Sequence, residues 1–262
     1  MLEGSSLPGL ITDPFFLACA LPAVLLTGIS KGGFAGGFGM LGVPIMALAI
    51  SPVQAAAIML PILIAMDMVG IANYRKFWDK KIALGLIPAA TFGVGIGWAF
   101  ADGVDEALVR ILLGAIALVF SLNFLLQRLR DGAIKRHPAS FSRTGVWGTI
   151  MGFTSFVAHA GGPPYQVYAL PLGLDKTRYV ATSILFFALI NLIKLPPYAF
   201  LGQLDTSNLT TSLALLPLAP LGMWMGIYLH KKVPEGPFFL LAYGGLALAG
   251  AKLLYDGFRA LA

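Results

Sequence analysis

Residues 30–42 read SKGGFAGGFGMLG and place six glycines and one lysine between two strongly apolar segments. Glycine lets a chain turn and lets helices approach closely, whereas a charge is costly in apolar surroundings. The combination predicts a break in a helix, where bare backbone and a positive charge face something polar.

The rest of the sequence is typical of an all-α polytopic membrane protein. Hydrophobic types make up 58% of the 262 residues and charged types 11%, whereas soluble domains have about 25% charged residues. Several apolar runs approach or exceed the ~18–20 residues that a helix needs to cross a bilayer, and they lack the alternation of β-barrel strands. The net charge of +6 comes from basic residues in short loops, a pattern of membrane proteins, so we predict the lipid bilayer and not nucleic acid as a partner.

The apolar segments occur in the same order twice, a short pair followed by three long helices. We predict one membrane domain with a first repeat over 1–127, a basic cytoplasmic linker over 128–143 and a second repeat over 144–262. The stretches 36–61 and 160–187 each have a glycine pair, then a proline, then a polar break before the next helix. Many transporters are built from two such halves.

The charges of the loops predict a multi-pass protein of the cell (inner) membrane with its N-terminus outside. Basic loops such as 73–81 and 230–235 belong in the cytoplasm, and the acidic loops 101–106 and 202–208 belong outside. Each short pair then starts and ends on one side, and the two pairs do so on opposite sides, which makes the repeats inverted. We predict that each pair is a re-entrant hairpin of half-helices; the alternative is that each member spans obliquely.

The two hairpin tips are predicted to enclose one cavity near the middle of the membrane. The backbone N–H groups of a tip, and the positive end of the helix dipole that starts there, favour a small anion. The substrate-binding candidates are Ser30, Lys31, Gly32, Gly33, Gly36, Gly37 and Gly39 at the first tip, and Thr154, Ser155, His159, Gly161, Gly162 and Gln166 at the second. Close helix packing alone is the alternative for the glycines, and we assign Gly93, Gly97, Gly222 and Gly226 to packing.

Three further polar residues lie inside apolar segments, where ionisable groups are candidates for function. Asp67 and Asn191 occupy matching places in the two repeats, and Lys194 shares a helix face with Asn191. We add Asn191 and Lys194 to the substrate-binding candidates, with a snorkelling lysine as the alternative. Asp67 and His159 are candidates for proton coupling; their alternatives are a carboxylate satisfied by a neighbour and a hydrogen-bonded histidine.

Four stretches together resemble a known family: GISKGGFAGGFGMLGVPIMAL (28–48), SPVQAAAIMLP (51–61), AGGPPYQVYALP (160–171) and INLIKLPPY (190–198). They are similar to the TauE/SafE sulfite exporter family, and the resemblance covers nearly the whole chain. It implies an integral membrane permease for small sulfur-containing anions, such as sulfite or organosulfonates, and it leaves the individual anion open.

The functional prediction is therefore a secondary transporter that exports a small sulfur oxyanion or sulfonate. An anion channel and a membrane-embedded sulfur-transfer enzyme are the alternatives. The sequence has no H-E-x-x-H or G-x-S-x-G motif, and its one cysteine, Cys19, lies in an apolar run, so we predict neither an enzyme nor a cofactor. The sequence does not determine the direction of transport, the coupled ion or the oligomeric state.

Overall fold

The structure is a computed structural model that describes residues 10–34, 39–101, 105–129, 138–230, 232 and 235–261. These residues form eleven α-helices and no strand, which confirms the all-helical prediction. The helices are α1 (Pro14–Gly33), α2 (Gly42–Met46), α3 (Pro52–Tyr74), α4 (Lys80–Ala101), α5 (Glu106–Leu129), α6 (Phe141–Ala158), α7 (Gly162–Ala169), α8 (Lys176–Phe200), α9 (Thr206–Leu215), α10 (Leu218–His230) and α11 (Glu235–Leu261). Residues 130–137 of the predicted linker lie outside the described residues.

Several of these helices could cross a membrane. By length and composition, α1, α3, α4, the first 18 residues of α5, and α8 are each long and apolar enough to cross a bilayer in the described part of the chain. The pair α9 and α10, bent by 44° at a short break, makes a sixth if it is one span. Large apolar side chains such as Phe92, Phe200 and Leu248 are exposed on the outside of the bundle, as a surface in contact with lipid requires.

Side chains at the N-terminal ends fix where several helices begin. Asp13, Ser51, Asp175 and Asp205 each accept a hydrogen bond from a backbone N–H in the first turn of the helix that follows. Such caps satisfy donors that have no partner inside the helix. The D-P and S-P pairs at the starts of α1 and α3 are therefore readable from the sequence, because proline is favoured in the first turn.

Three pairs of helices pack along each other, namely α1 with α10, α4 with α6, and α5 with α11, while α3 lies against α8 between them. Glycine makes the closest approaches possible. A Cβ atom added to Gly93 would meet the backbone of Thr149, and one added to Gly222 would meet the backbone of Leu25 and Gly28. These contacts, with equivalent ones at Gly97 and Gly226, confirm that the four glycines serve packing.

The first hairpin differs from the prediction in the length of its first helix. α1 has 20 residues, about 30 Å, and has the length and composition of a full span, so the prediction of a half-helix is wrong for this member. The glycines do not break the helix at Lys31, because Gly32 and Gly33 pack on the backbone of α10 and that contact outweighs their low helix propensity. The second members, α2 with five residues and α7 with eight, are too short to cross.

Candidate functional site

A small cavity with both polar and apolar side chains in its wall lies in the centre of the bundle, where the last turns of α1 and α6 meet the middle of α3 and α8. It has about 40 Å³ of room for the centres of water molecules, above the ~10–15 Å³ that one water needs. Its lining consists of Thr27, Lys31, Gly39, Leu63, Ser155, His159, Gly162, Ser183, Ile184, Phe187 and Asn191. Side chains from both halves of the chain thus share one small space.

One wall of the cavity is a buried ion pair. Lys31 Nζ lies 2.7 Å from Asp67 Oδ1 and 3.4 Å from the carbonyl oxygen of Leu63, to which it donates. Asn191 Nδ2 donates to the other carboxylate oxygen of Asp67 at 2.7 Å. The matching positions 67 and 191 are therefore in direct contact. Asp67 is paired with its neighbours, which agrees with the alternative to proton coupling given for this residue in the sequence analysis.

The opposite wall is built around a second buried lysine. Lys194 is fully buried, and its Nζ donates to the carbonyl oxygen of Ser155 at 3.0 Å, to Ser155 Oγ at 3.2 Å and to His159 Nδ1 at 2.7 Å. These three contacts use all three N–H groups of the ammonium. The alternative of a snorkelling lysine is therefore wrong, because the side chain points into the bundle.

His159 connects the second lysine to α3. Its Nε2 lies 2.8 Å from the carbonyl oxygen of Ala56, which accepts hydrogen bonds only, so the ring hydrogen is on Nε2 and Nδ1 is left to accept from Lys194. The residue has a positive φ of 51° and ends α6, which turns its ring back towards the bundle. The hydrogen-bonded histidine that the sequence left as an alternative is what the structure contains.

The formal charges at the site do not cancel. Lys31 is matched by Asp67, whereas the three acceptors around Lys194 are neutral, so a protonated Lys194 would have no counter-charge among its hydrogen-bond partners. An unmatched charge away from water costs several kcal/mol. A monovalent anion in the cavity would balance that charge. Chemically, the arrangement can bind and release a small anion.

The predicted site residues fall into four groups. Lys31, Gly39, Ser155, His159, Gly162 and Asn191 line the cavity. Ser30, Thr154, Gly161 and Gln166 lie nearby but outside its lining; Thr154 donates to Ile150 in its own helix, and Gly161 lies against Phe187. Gly32 and Gly33 face α10, and Gly36 and Gly37 lie outside the described residues. For every candidate residue, anion binding stays a prediction.

Sequence reasoning missed five lining residues, namely Thr27, Leu63, Ser183, Ile184 and Phe187. A helical spacing would have found most of them. Thr27 precedes Lys31 by four residues, and Ser183, Phe187 and Asn191 follow one another at intervals of four along α8. Residues four apart share a helix face, so the faces that carry Lys31 and Asn191 predict these neighbours.

A second, larger cavity lies next to the first. It has about 350 Å³ of room for water-sized molecules and a mostly apolar lining: Val53, Ala56, Gly97, Phe100, Ala101, Leu108, Val109, Leu112, Phe153, Phe156, Val157, Tyr198 and Gln203. Ala56, which accepts from His159, borders this second cavity, whereas His159 lines the first. The layer between the two cavities is therefore about one side chain thick.

Comparison with known proteins identifies the family of the chain. No curated protein and no solved structure matches the chain. The family model described as sulfite exporter TauE/SafE matches residues 20–253, which include both lysines, the carboxylate and every residue that lines the two cavities. Because the match covers most of the sequence, the chain belongs to the sulfite exporter TauE/SafE family of membrane transporters.

Proposed function

We propose that this protein is a secondary transporter that exports small sulfur-containing anions, such as sulfite or organosulfonates, through the central cavity. The family supports the transport of such anions. The observation that carries the binding site is a pair of buried lysines that share one carboxylate, so that a protonated Lys194 would need a bound anion as its counter-ion. A sulfite or sulfonate group has several acceptor oxygens, which suit the N–H donors of Lys31 and Asn191 that border the cavity.

Inverted repeats are the architecture that we propose for the transporter, with repeats over 1–127 and 144–262. In the order of elements, α1 and α6 correspond, as do α4 and the bent pair of α9 and α10. The contact of α1 with α10 then corresponds to that of α6 with α4, and the two contacts are of similar extent. If a two-fold axis relates the halves, it maps α1 onto α6 and α10 onto α4, so the two contacts should be alike.

The predicted sidedness is supported by which loops meet. Asp79 and Arg178, from two loops predicted inside, form an ion pair of 2.9 Å. Ile11 and Thr211, from two segments predicted near the outer face, are joined by a hydrogen bond of 3.3 Å. We therefore propose that the N-terminus lies outside and that the central cavity lies near mid-membrane, since Leu63 at its wall is the middle residue of α3.

Export requires an energy source. An inside-negative potential favours outward movement of an anion by ~2.3 kcal/mol per charge per 100 mV. Asp67 and His159 are the groups that we propose for an additional proton coupling, because both contact a lysine of the cavity. In that scheme, protonation of Asp67 would free Lys31 for the transported anion.

A proteoliposome assay tests the proposed function. We expect saturable flux of labelled sulfite or of an organosulfonate, with counterflow, and a strong loss of flux in Lys31→Ala. The control is Lys252→Ala, which removes a surface lysine that pairs with Asp256. Absence of saturable flux for all these anions, or an unchanged flux in Lys31→Ala, would contradict the proposal, and unitary currents without counterflow would identify a channel.

A further inference from the structure

Two buried tyrosines make the same hydrogen bond in the two halves of the chain. Tyr74 Oη donates to the carbonyl oxygen of Gly32 at 2.8 Å, and Tyr198 Oη donates to that of Phe156 at 2.7 Å. Both bonds join residues 42 apart in the sequence. Tyr74 and Tyr198 are separated by the 124 residues that also separate Asp67 from Asn191, so the two bonds occupy equivalent places relative to the contact in the centre.

Each tyrosine ties the end of one long helix to the end of another. Gly32 is in the last turn of α1, and Tyr74 is the last residue of α3. Phe156 is in the last turn of α6, and Tyr198 lies two residues before the end of α8. The last carbonyl groups of a helix have no partner within it, so these hydroxyl groups satisfy acceptors that would otherwise be costly to bury.

Tyr198 forms part of the layer between the two cavities. Its ring meets Phe156 edge to face, with centroids 5.2 Å apart, and stacks on His159 at 6.2 Å. Phe156 and Tyr198 line the large apolar cavity, whereas His159 lines the charged one. The large cavity is also bordered by Ala101 and Gln203, at the loops predicted to face outwards.

Tyr74 lies towards the opposite end of the bundle. It ends α3, five residues before Asp79, whose ion pair with Arg178 joins two loops predicted to face inwards. Tyr74 is 5% exposed and Tyr198 2% exposed, so water reaches neither ring freely. The central cavity is thus flanked by one tyrosine contact on each side.

We propose that Tyr74 and Tyr198 are two latches that close the central cavity towards the inner and the outer side, respectively. Separation of Tyr198 from Phe156 joins the charged cavity to the large apolar one and so opens it outwards. Separation of Tyr74 from Gly32 frees the end of α1 and opens the cavity inwards. In the structure both bonds are made. The proposal rests on the proposed transport, because a protein that moves no solute has no need of two opposed closures.

Thiol labelling from one face at a time tests the latches. Cys19 is the only cysteine, so Cys19→Ala combined with Ser183→Cys places a single thiol in the lining of the cavity. A membrane-impermeant thiol reagent is then applied to either face of oriented vesicles. We expect Tyr198→Phe to raise the labelling rate from the outer face, and Tyr74→Phe to raise it from the inner face. Each change should be about three- to fivefold, the effect of one lost hydrogen bond of this kind.

Tyr165→Phe is the matched control, since Tyr165 is fully buried and also donates to a backbone carbonyl, that of Tyr179 at 3.1 Å, away from both closures. It should leave both labelling rates unchanged. Phenylalanine keeps each ring in place, and the unfolding temperature of every variant in detergent verifies that it is folded. Equal labelling changes from the same face, or none, in the two latch variants would overturn the proposal. If the two variants change labelling from opposite faces but the protein transports no sulfur-containing anion, the latch proposal would stand and the proposed substrates would be wrong.

Discussion

At the scale of single residues, the site depends on how two lysines are held. Lys31 reaches from α1 to Asp67 in α3, whereas Lys194 reaches from α8 to Ser155 in α6. Lys31 and Ser155 are 124 residues apart, as are Asp67 and Asn191, but Lys194 lies three residues beyond Asn191, so the two contacts are similar without using fully matching positions. The sequence identified each of these residues as a candidate, but it could not predict their pairing, since a lysine side chain spans several possible acceptors.

Replacement of the second lysine should weaken anion binding. We expect Lys194→Met, which keeps the length of the side chain and removes its charge, to raise KM for the transported anion by about 10- to 100-fold, because a unit charge about 8 Å away contributes roughly 2 kcal/mol at an effective dielectric constant of about 20. Flux measured over a range of anion concentrations gives KM. Lys252→Met, at an exposed surface pair, is the control. An unchanged KM in a folded Lys194→Met protein would mean that the unmatched charge does not attract the anion.

At the scale of elements, close packing between helices determines where α1 ends. The sequence predicts a helix break within residues 30–42, and α1 does end there, but only after Gly33, because α10 lies against the end of α1 at Gly222 and Gly226. Helix propensity is a local property, whereas this contact involves residues about 190 positions apart. The end of α6 at His159 was predicted more closely, since its neighbours Gly161 and Gly162 precede a proline pair, and proline is favoured in the first turn of a new helix.

A pair of substitutions in α4 tests the packing role. A Cβ atom at Gly93 would overlap the backbone of Thr149 in α6, whereas a Cβ atom at Gly95 would meet nothing within 4 Å. We expect Gly93→Ala to lower the free energy of unfolding by about 1–3 kcal/mol, the usual cost of overpacking, and Gly95→Ala to leave it unchanged or slightly higher. Thermal unfolding in detergent measures both. Equal unfolding temperatures would show that the close contact between α4 and α6 at Gly93 does not contribute to stability.

At the scale of the whole molecule, the sequence predicted the order of the helices and the matching places of Asp67 and Asn191 in the two halves. It did not predict that the two side chains touch, and the structure joins them by a hydrogen bond of 2.7 Å. The large apolar cavity was not predicted, because its lining residues come from α3, α4, α5, α6 and α8 and are individually ordinary apolar side chains. A cavity forms only when the helices are assembled, so no local sequence pattern predicts it.

Single-cysteine labelling tests the proposed sidedness. In a Cys19→Ala background, we expect Lys80→Cys to react with an impermeant thiol reagent only from the cytoplasmic face and Thr206→Cys only from the outer face. Both positions are exposed and lie at the starts of α4 and α9. Reaction of both from the same face would contradict the assignment of inner and outer loops by charge.

The pairing of Asp67 with Lys31 has a consequence for the transport cycle. In the proposed transport cycle, the carboxylate would take the place of the transported anion: while no solute is bound, it would neutralise Lys31 and let the empty carrier return without an unpaired charge at that position. Asp67→Asn, of nearly the same shape, takes this substitute away. We expect such a protein to exchange anion for anion across the vesicle membrane and to lose most of its net efflux into an anion-free medium. Retained net efflux in that variant would show that the carrier resets without an internal counter-ion.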